Sequence, residues 1–232
     1  MTDASMTAKA CWYWILKLKA RFLSGDYAEA LTAAAKAEAL WASVTQMRLL
    51  DYFYYTALTM AALYENGSSR EQSEWHERLI THRKQLHAWA ENGPATFGDK
   101  LALVSAEIAR LEGRERDAMH LYEEAIQLSR KHGFVQNEGL AQEVAARFYA
   151  ACGLETIANA YLGGARHCYL RWGAEGKVRQ LDRHHPHLRA HQALLTPVAT
   201  LMRRSSSWTS ARCSRHRKRS RARSCLARLS RR

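Results

Sequence analysis

Apolar residues recur along most of the chain at helical spacing, and glycines interrupt this pattern at long intervals. Four similar short segments contain Gly25, Gly67, Gly113 and Gly153, which lie 42, 46 and 40 residues apart. An interval of this length accommodates two helices of about 15–20 residues each, which is the unit of a helical solenoid. The pattern therefore predicts an all-α array of helical hairpins.

Each of these glycines is expected to end the first helix of a hairpin. That position needs a left-handed backbone, which costs other residues about 1 kcal/mol or more. Small residues then follow at helical spacing, beginning five residues after three of the glycines, and we expect them to form a stripe against which the paired helix packs closely. The predicted stripe positions are Ala30, Ala34, Ala37, Ala118, Tyr122, Ala125 and Ala158. This arrangement is similar to that of tetratricopeptide repeats, although the units are longer than 34 residues.

The same pattern sets the predicted bounds of the array. We expect a right-handed solenoid over residues 8–188, made of about four hairpins and a short closing helix. The Gly93-Pro94 pair predicts a turn, after which Thr96 can cap the next helix. Four successive aromatic residues, Tyr52 to Tyr55, cover all sides of their helix and place it in the middle of a layer. The predicted helices span 8–23, 26–42, 46–65, 69–91, 97–112, 115–132, 135–152, 154–173 and 175–183.

The net charge of +13 is concentrated at the C-terminal end. Residues 203–232 contain 12 basic and no acidic residues, whereas residues 1–202 contain 23 basic and 22 acidic ones. This Arg/Ser-rich segment has almost no hydrophobic periodicity, so residues 189–232 are predicted to be a disordered tail. Twelve positive charges would bind nucleic acid with a steep salt dependence, which is the alternative function that the sequence supports.

Composition also bears on location. No run of about 18 uncharged apolar residues occurs, so no transmembrane helix is expected, and the N-terminus lacks the order of a signal peptide. The cysteines are odd in number, and none is spaced as C-x-x-C, which favours free thiols in a reducing compartment. They are Cys11, Cys152, Cys168, Cys213 and Cys225. We expect a cytoplasmic protein.

Two groups of residues invite a catalytic or metal-binding interpretation, and each has a simpler one. The histidines at 184, 185, 187 and 191 straddle a proline at a helix end without a cysteine or acidic partner, so we interpret them as a surface cluster rather than a metal site. Two acidic pairs could serve as acid and base, but amphipathic helices usually carry such residues on a solvated face. These pairs are Glu123 with Glu124, and Asp51 with Glu65.

No Walker-type loop, dinucleotide-binding fingerprint or kinase signature occurs. Gly163-Gly164 lies inside a helical pattern and is expected to permit close helix packing rather than to bind phosphate. An aromatic set at helical spacing could stack bases but is more typical of a core, namely Trp12, Tyr13, Trp14, Tyr169 and Trp172. We therefore predict no catalytic, cofactor-binding or metal-binding residue and no cofactor.

Three stretches resemble the helical-repeat region of large signalling proteins. Those proteins join a serine/threonine kinase-like domain, an AAA-type ATP-binding domain, helical repeats, a GAF domain and a sensor histidine kinase. The resemblance covers residues 11–188, and Tyr169-Leu170-Arg171-Trp172-Gly173 is its most specific part. The stretches are Cys11–Phe22 with Gly25–Tyr27, Leu103–Arg114 with Tyr122–Ile126, and Asn137–Ala141 with Ala145–Tyr149, Cys168–Ala174 and Lys177-Val178.

The C-terminal tail departs completely from that family. Read in a shifted frame, the codons of Ser207 to Leu226 are compatible with L-D-L-G-T-V-L-K-A-S-Q-A-L-S-G-E-I-V-L, which resembles the family's entry into its GAF region. We therefore interpret the tail as the product of a frameshift near residues 189–204 that truncated a larger kinase. None of the family's catalytic residues falls within the matched stretches. The resemblance implies a non-catalytic scaffold that couples neighbouring kinase, ATPase or GAF domains and binds protein partners on its concave side.

Overall fold

The computed structural model describes residues 3–40 and 46–188, and within them nine α-helices and one short 3₁₀ helix. The tail predicted over residues 189–232 lies outside the described residues. Met1–His184 form one unit, and described residues 185–188 belong to a second. The helices are α1 (Asp3–Ser24), α2 (Tyr27–Glu38), α3 (Gln46–Leu63), α4 (Ser69–Asn92), α5 (Pro94–Leu111), α6 (Glu115–Lys131), α7 (Val135–Ala151), α8 (Glu155–Trp172) and α9 (Glu175–His184).

Successive helices pack against one another as in tetratricopeptide repeats, which confirms the predicted all-α hairpin array. The hairpins are α1–α2, α3–α4, α5–α6 and α7–α8. The first helices of the hairpins, α1, α3, α5 and α7, also contact one another in that order. Helix α9 packs on α8 and touches α1 as well. The beginning and the end of the array therefore meet.

Glycines end the helices much as predicted. Gly25, Gly113 and Gly153 have φ values of +81°, +71° and +75°, which is the left-handed conformation expected of them. Two further glycines, which the 40-residue spacing does not mark, share this conformation: Gly133 at +75° and Gly173 at +77°. From Gly113 onward a left-handed glycine therefore stands every 20 residues. The second half of the array is accordingly more regular than the 40-residue spacing suggested.

The prediction of a left-handed conformation at Gly67 is wrong. Its φ is −80°, because the chain leaves α3 through the 3₁₀ helix Tyr64–Asn66. The next helix is then capped by Ser68, which accepts a hydrogen bond from the Glu71 backbone while the Glu71 side chain bonds back to Ser68. A glycine is needed at position 67 for another reason: a Cβ there would lie 2.6 Å from the Trp75 ring.

The predicted cap at Thr96 is also wrong. Helix α5 begins at Pro94, and Gly93 is its N-cap. Proline suits the first helical position because its φ is already helical and because the N–H that it lacks would have had no partner there. The Gly93-Pro94 pair therefore starts the helix instead of forming a separate turn.

The small-residue stripes pack as expected. All seven predicted stripe residues are buried, including Ala30, Tyr122 and Ala158. The aromatic run is buried too, and every residue from Tyr52 to Ala61 is inaccessible on all sides of α3. This confirms that α3 lies in the middle of a layer, where it contacts α1, α2, α4 and α5.

The aromatic set that was assigned to the core is divided by the structure. Tyr169 is fully buried, and Trp14 packs against the core with the Lys36 ammonium 4.3 Å from its ring centroid. The core assignment is wrong for Trp12, Tyr13 and Trp172, which are 41%, 58% and 42% exposed. Helical spacing alone cannot reveal this, because α1 and α8 carry apolar residues on more than one face.

The adjacent glycines of α8 have different environments. A Cβ at Gly164 would lie 1.8 Å from Oε1 of Gln142 on α7, whereas a Cβ at Gly163 would meet no atom within 4 Å. Gln142 is itself buried and donates a hydrogen bond to Glu138 at 3.2 Å. Close helix packing is therefore confirmed for Gly164 and does not apply to Gly163.

A buried histidine joins α4 to α3. His82 is 4% exposed, and its Nδ1 lies 3.0 Å from the Phe53 carbonyl oxygen, with the ring packed against Phe53 and Tyr52. Burial lowers the pKa of His82 to about 4. The folded chain therefore holds this imidazole neutral at pH 7, with Nδ1–H donating to the carbonyl.

The two glycines of α8 provide a matched stability test. We expect Gly163→Ala to stabilise the chain by about 0.5–1 kcal/mol, because alanine has the higher helix propensity and the space is open. Gly164→Ala should destabilise it by about 1–3 kcal/mol through overpacking against Gln142. Urea unfolding monitored by circular dichroism measures both. Equal effects of the two substitutions would contradict the close approach of α7 and α8.

His82 predicts a particular dependence of stability on pH. Its pKa is lower in the folded chain than the ordinary value of about 6.5, so the unfolded chain binds the proton first as the pH falls. Stability is therefore complete above pH 6.5 and declines by roughly 2–3 kcal/mol as the pH approaches 4. Unfolding curves between pH 7 and pH 4 should show a smaller decline for His82→Gln. His87→Gln, at an exposed position of the same helix, is the control. The assignment would be refuted if stability declined with pH as much in His82→Gln as in the original chain while His87→Gln lost that decline.

Candidate interaction surface

Hydrogen bonds between helices that are far apart in the sequence join the beginning of the array to its end. Two hydrogen bonds join the end of α1 to α9: Lys177 Nζ donates to the Leu23 carbonyl at 2.7 Å, and Gln180 Nε2 donates to the Ser24 carbonyl at 2.7 Å. These residues are separated by more than 150 positions. Because the carbonyls at the end of α1 have no partner within the helix, α9 supplies donors for two of them.

Lys177 is the centre of this closing contact. Its ammonium also lies 2.8 Å from Glu143 Oε1 on α7 and 5.8 Å from the ring centroid of Tyr169. The side chains of Lys177 and Glu143 are only 11% and 17% exposed. Glu143 accepts a second hydrogen bond, from the Tyr169 hydroxyl at 2.7 Å, and burial followed by this carboxylate raises the pKa of Tyr169 well above 10. A single cation therefore joins α1, α7 and α9.

A second contact crosses the array from α7 to α2. Arg147 NH1 donates a hydrogen bond to the Tyr27 hydroxyl at 2.6 Å, and its guanidinium carbon lies 5.7 Å from the centroid of that ring. The Tyr27 ring in turn packs on Phe22, which contacts Tyr55 of α3. Cation–π and aromatic contacts of this kind contribute about 0.5–1.5 kcal/mol each.

A buried carboxylate on α5 has its own set of partners. Glu107 of α5 accepts hydrogen bonds from the Tyr122 hydroxyl and, at 3.0 Å, from Arg110 NH2. Arg110 also donates to Glu65 at 3.1 Å and to the Ala61 carbonyl at 2.9 Å, so it connects α5 to α3. Burial, then Glu107, raises the pKa of Tyr122. This tyrosine therefore remains a neutral donor.

A pocket of about 200 Å³ opens between α3, α5 and α7. Its charged lining consists of Glu65, Glu107, Arg110 and Arg147, and its apolar lining includes Val144 and Phe148. Typical small-molecule pockets measure about 300–1,000 Å³. This pocket is therefore smaller than a typical small-molecule site.

Three residues of the two candidate acid–base pairs form ordinary ion pairs or hydrogen bonds with other side chains. Asp51 pairs with Lys19 of α1 at 3.1 Å, and Glu65 pairs with Arg110. Glu123 accepts hydrogen bonds from Tyr161 at 3.1 Å and from Gln127, while its neighbour Glu124 is exposed. The structure brings neither pair together with a nucleophile among the residues it describes.

The histidine cluster is only partly described. His184 and His187 are exposed and His185 is half-buried, whereas His191 lies outside the described residues. Within residues 3–40 and 46–188 no three His, Cys, Asp or Glu side chains converge as metal ligands would. None of the helices described is both long and apolar enough to cross a membrane.

The described cysteines are poor nucleophiles. Cys11, Cys152 and Cys168 carry no disulfide, and Cys213 and Cys225 lie outside the described residues. Burial raises the pKa of the Cys168 thiol to about 11, and burial raises the pKa of Cys11 as well. Since the thiolate is the reactive form, the two buried thiols behave as core residues.

Large apolar side chains remain exposed on α8 and just before it. They lie near both ends of the helix, and Trp172 belongs to the stretch that most resembles the signalling family. The exposed residues are Leu154, Ile157, Leu170 and Trp172. We call them the α8 surface. The residues at the two ends lie about 20 Å apart along the helix, so they offer a partner two separate contact points rather than one continuous apolar patch.

The closing contact can be tested by its charge. We expect Lys177→Met to destabilise the chain by about 2–3 kcal/mol, because it leaves a mostly buried carboxylate and two hydrogen-bond acceptors without their cation. Arg179→Met, on the same helix, removes only an exposed pair with Glu175 and should cost less than about 0.5 kcal/mol. Urea unfolding at pH 7 compares them, and equal costs would mean that α9 does not close the array.

One comparison with known proteins gives a match. The family described as "CHK1-like, TPR repeats" matches residues 1–152, which is well over half of the chain. Neither the curated proteins nor the solved structures contain a match. The matched residues comprise the first three hairpins and all of α7, whose packing is that of tetratricopeptide repeats. The chain therefore belongs to the family of CHK1-like tetratricopeptide repeats.

Proposed function

We propose that the chain is a non-catalytic scaffold that couples the domains of a larger signal-transduction kinase. The family membership supports a protein-interaction role, since repeats of this type present surfaces to protein partners. The resemblance of residues 11–188 to proteins that combine serine/threonine kinase-like, ATP-binding, GAF and histidine kinase domains supports the more specific role. The repeats would transmit contacts between those domains without catalysing a reaction.

The proposal rests on a contrast between charged side chains that have partners within the chain and apolar side chains that are left exposed. Three charged residues of the array, Lys177, Arg147 and Glu107, are hydrogen-bonded within the chain. The apolar residues of the α8 surface are exposed. A partner would therefore gain more from covering α8 than from entering the array, because burying a large apolar side chain contributes about 1.5–3 kcal/mol.

The alternative function places the activity in the basic tail, outside the described residues. Its 12 positive charges favour nucleic-acid binding. The shifted-frame interpretation of the same segment would make that charge incidental. Both remain predictions, and the binding experiment below distinguishes the tail from the repeat array.

We expect the chain to bind at least one separately expressed domain of the signalling proteins that it resembles, measured by isothermal titration calorimetry. Ile157→Asp and Trp172→Asp should each weaken that binding at least about tenfold, because both place a charge in an apolar contact. His167→Asp, at another exposed position of α8, is the matched control. Deletion of residues 203–232 should leave the affinity unchanged.

Two results would refute the proposal. One is equal binding by all three α8 variants. The other is binding of nucleic acid alone that disappears with residues 203–232 and weakens steeply with salt, which would favour the alternative function. Hydrolysis of ATP by the purified chain would also count against a non-catalytic role.

A further inference from the structure

The first helix carries a second apolar stripe that the array leaves exposed. The buried side of α1 consists of Cys11, Ile15, Leu18 and Phe22, which pack on α2 and α3. Met6, Tyr13 and Leu16 lie on another side of the helix and are 60%, 58% and 51% exposed. We call these three residues the α1 stripe.

The later hairpins show what covers this stripe elsewhere in the array. Counted back from the glycine that follows the helix, Tyr13 and Leu16 occupy positions 12 and 9 before Gly25. In α3 the same positions before Gly67 are Tyr55 and Leu58, and both are at most 3% exposed. Tyr55 is covered by the preceding hairpin, since its ring contacts Phe22 of α1 at 5.5 Å and Lys19 at 5.3 Å.

The same comparison holds in α7 and largely in α5. Positions 12 and 9 before Gly153 are Ala141 and Val144, which are 1% and 2% exposed. In α5 the corresponding residues are Leu101, half-buried, and Val104, fully buried. Wherever a hairpin precedes, these two positions are partly or fully covered. Among the first helices only α1 keeps large apolar side chains exposed there.

The charges indicate what kind of helix would fit. Asp51 stands 16 positions before Gly67 and forms an ion pair with Lys19 of the preceding helix at 3.1 Å. The residue 16 positions before Gly25 is Lys9, which is exposed. The position 16 residues before the glycine is therefore acidic on α3 and basic on α1. A helix that packs on α1 as α1 packs on α3 must bring a carboxylate where α1 itself has Lys19.

We propose that the α1 stripe binds a helical hairpin of the same repeat type whose first helix carries an acidic residue opposite Lys9. A second copy of the chain fits less well, since it would bring Lys19 against Lys9. This inference rests on the proposed scaffold function and identifies one class of partner, a repeat-type hairpin from a neighbouring domain. It concerns α1 only and is independent of the α8 surface.

The test extends the full chain by one hairpin copied from itself. Residues 3–45 are duplicated at the N-terminus, with Lys19→Glu in the added copy so that its carboxylate meets Lys9. We expect Tm to rise by about 4–8 °C and the helical signal to increase, because each added repeat interface stabilises its neighbours. The same extension without Lys19→Glu should give a smaller rise, since two lysines would then face each other.

Tyr13→Asp and Leu16→Asp in the original first hairpin are the second measurement. In the unextended chain they should change Tm by less than about 2 °C, because both side chains are exposed. In the extended chain they should abolish the rise. The proposal would be overturned by an extension that leaves Tm unchanged, adds no helix, or stabilises the Asp variants as much as the original chain. Concentration-dependent dimerisation of the unextended chain through α1 would also overturn it.

Loss of domain binding in the α8 variants bears on the scaffold function alone, so failure of that function and failure of the α1 proposal can be told apart.

Discussion

The contact between the end of α1 and helix α9 determines how this repeat array can be used. In an open array the concave side offers a continuous groove to a partner. Here the Lys177 ammonium connects the Leu23 carbonyl with Glu143, and Arg147 reaches across to Tyr27. These charged and aromatic groups are therefore engaged within the chain, whereas Leu154, Ile157, Leu170 and Trp172 remain exposed.

Local features of the sequence were enough to predict most of the fold. Gly25, Gly113 and Gly153 end helices in the left-handed conformation that only glycine adopts at low cost, and the alanines that follow them are buried. The two errors at helix boundaries, Gly67 and Thr96, arose where several local solutions compete. Helix α4 begins with a capping box at Ser68, and α5 begins with Pro94 at its first position. Neither helix start could be predicted from the positions of the glycines alone.

The candidate surface could be predicted only in part. The contacts that join the two ends of the array link residues 120 to 156 positions apart, such as Arg147 with Tyr27 and Gln180 with Ser24. No spacing rule links such residues, since their meeting depends on how every intervening hairpin packs. The exposed aromatic residues Tyr13 and Trp172 were assigned to the core because their spacing is that of a buried stripe. Counting back from each glycine would have shown that Tyr13 occupies the same position on α1 as Tyr55 does on α3. Tyr55 is covered by the preceding hairpin, whereas no described helix covers Tyr13 in the same way.

The most direct test of closure is a distance between the two ends of the array. With the native cysteines replaced, spin labels attached at Arg21→Cys and Arg179→Cys report that distance by double electron–electron resonance. Because neighbouring helix axes lie about 8–10 Å apart, the closed array predicts one narrow distribution below about 25 Å. A broad distribution centred well beyond that distance would show that α9 does not contact α1 and that the inner side is open to partners.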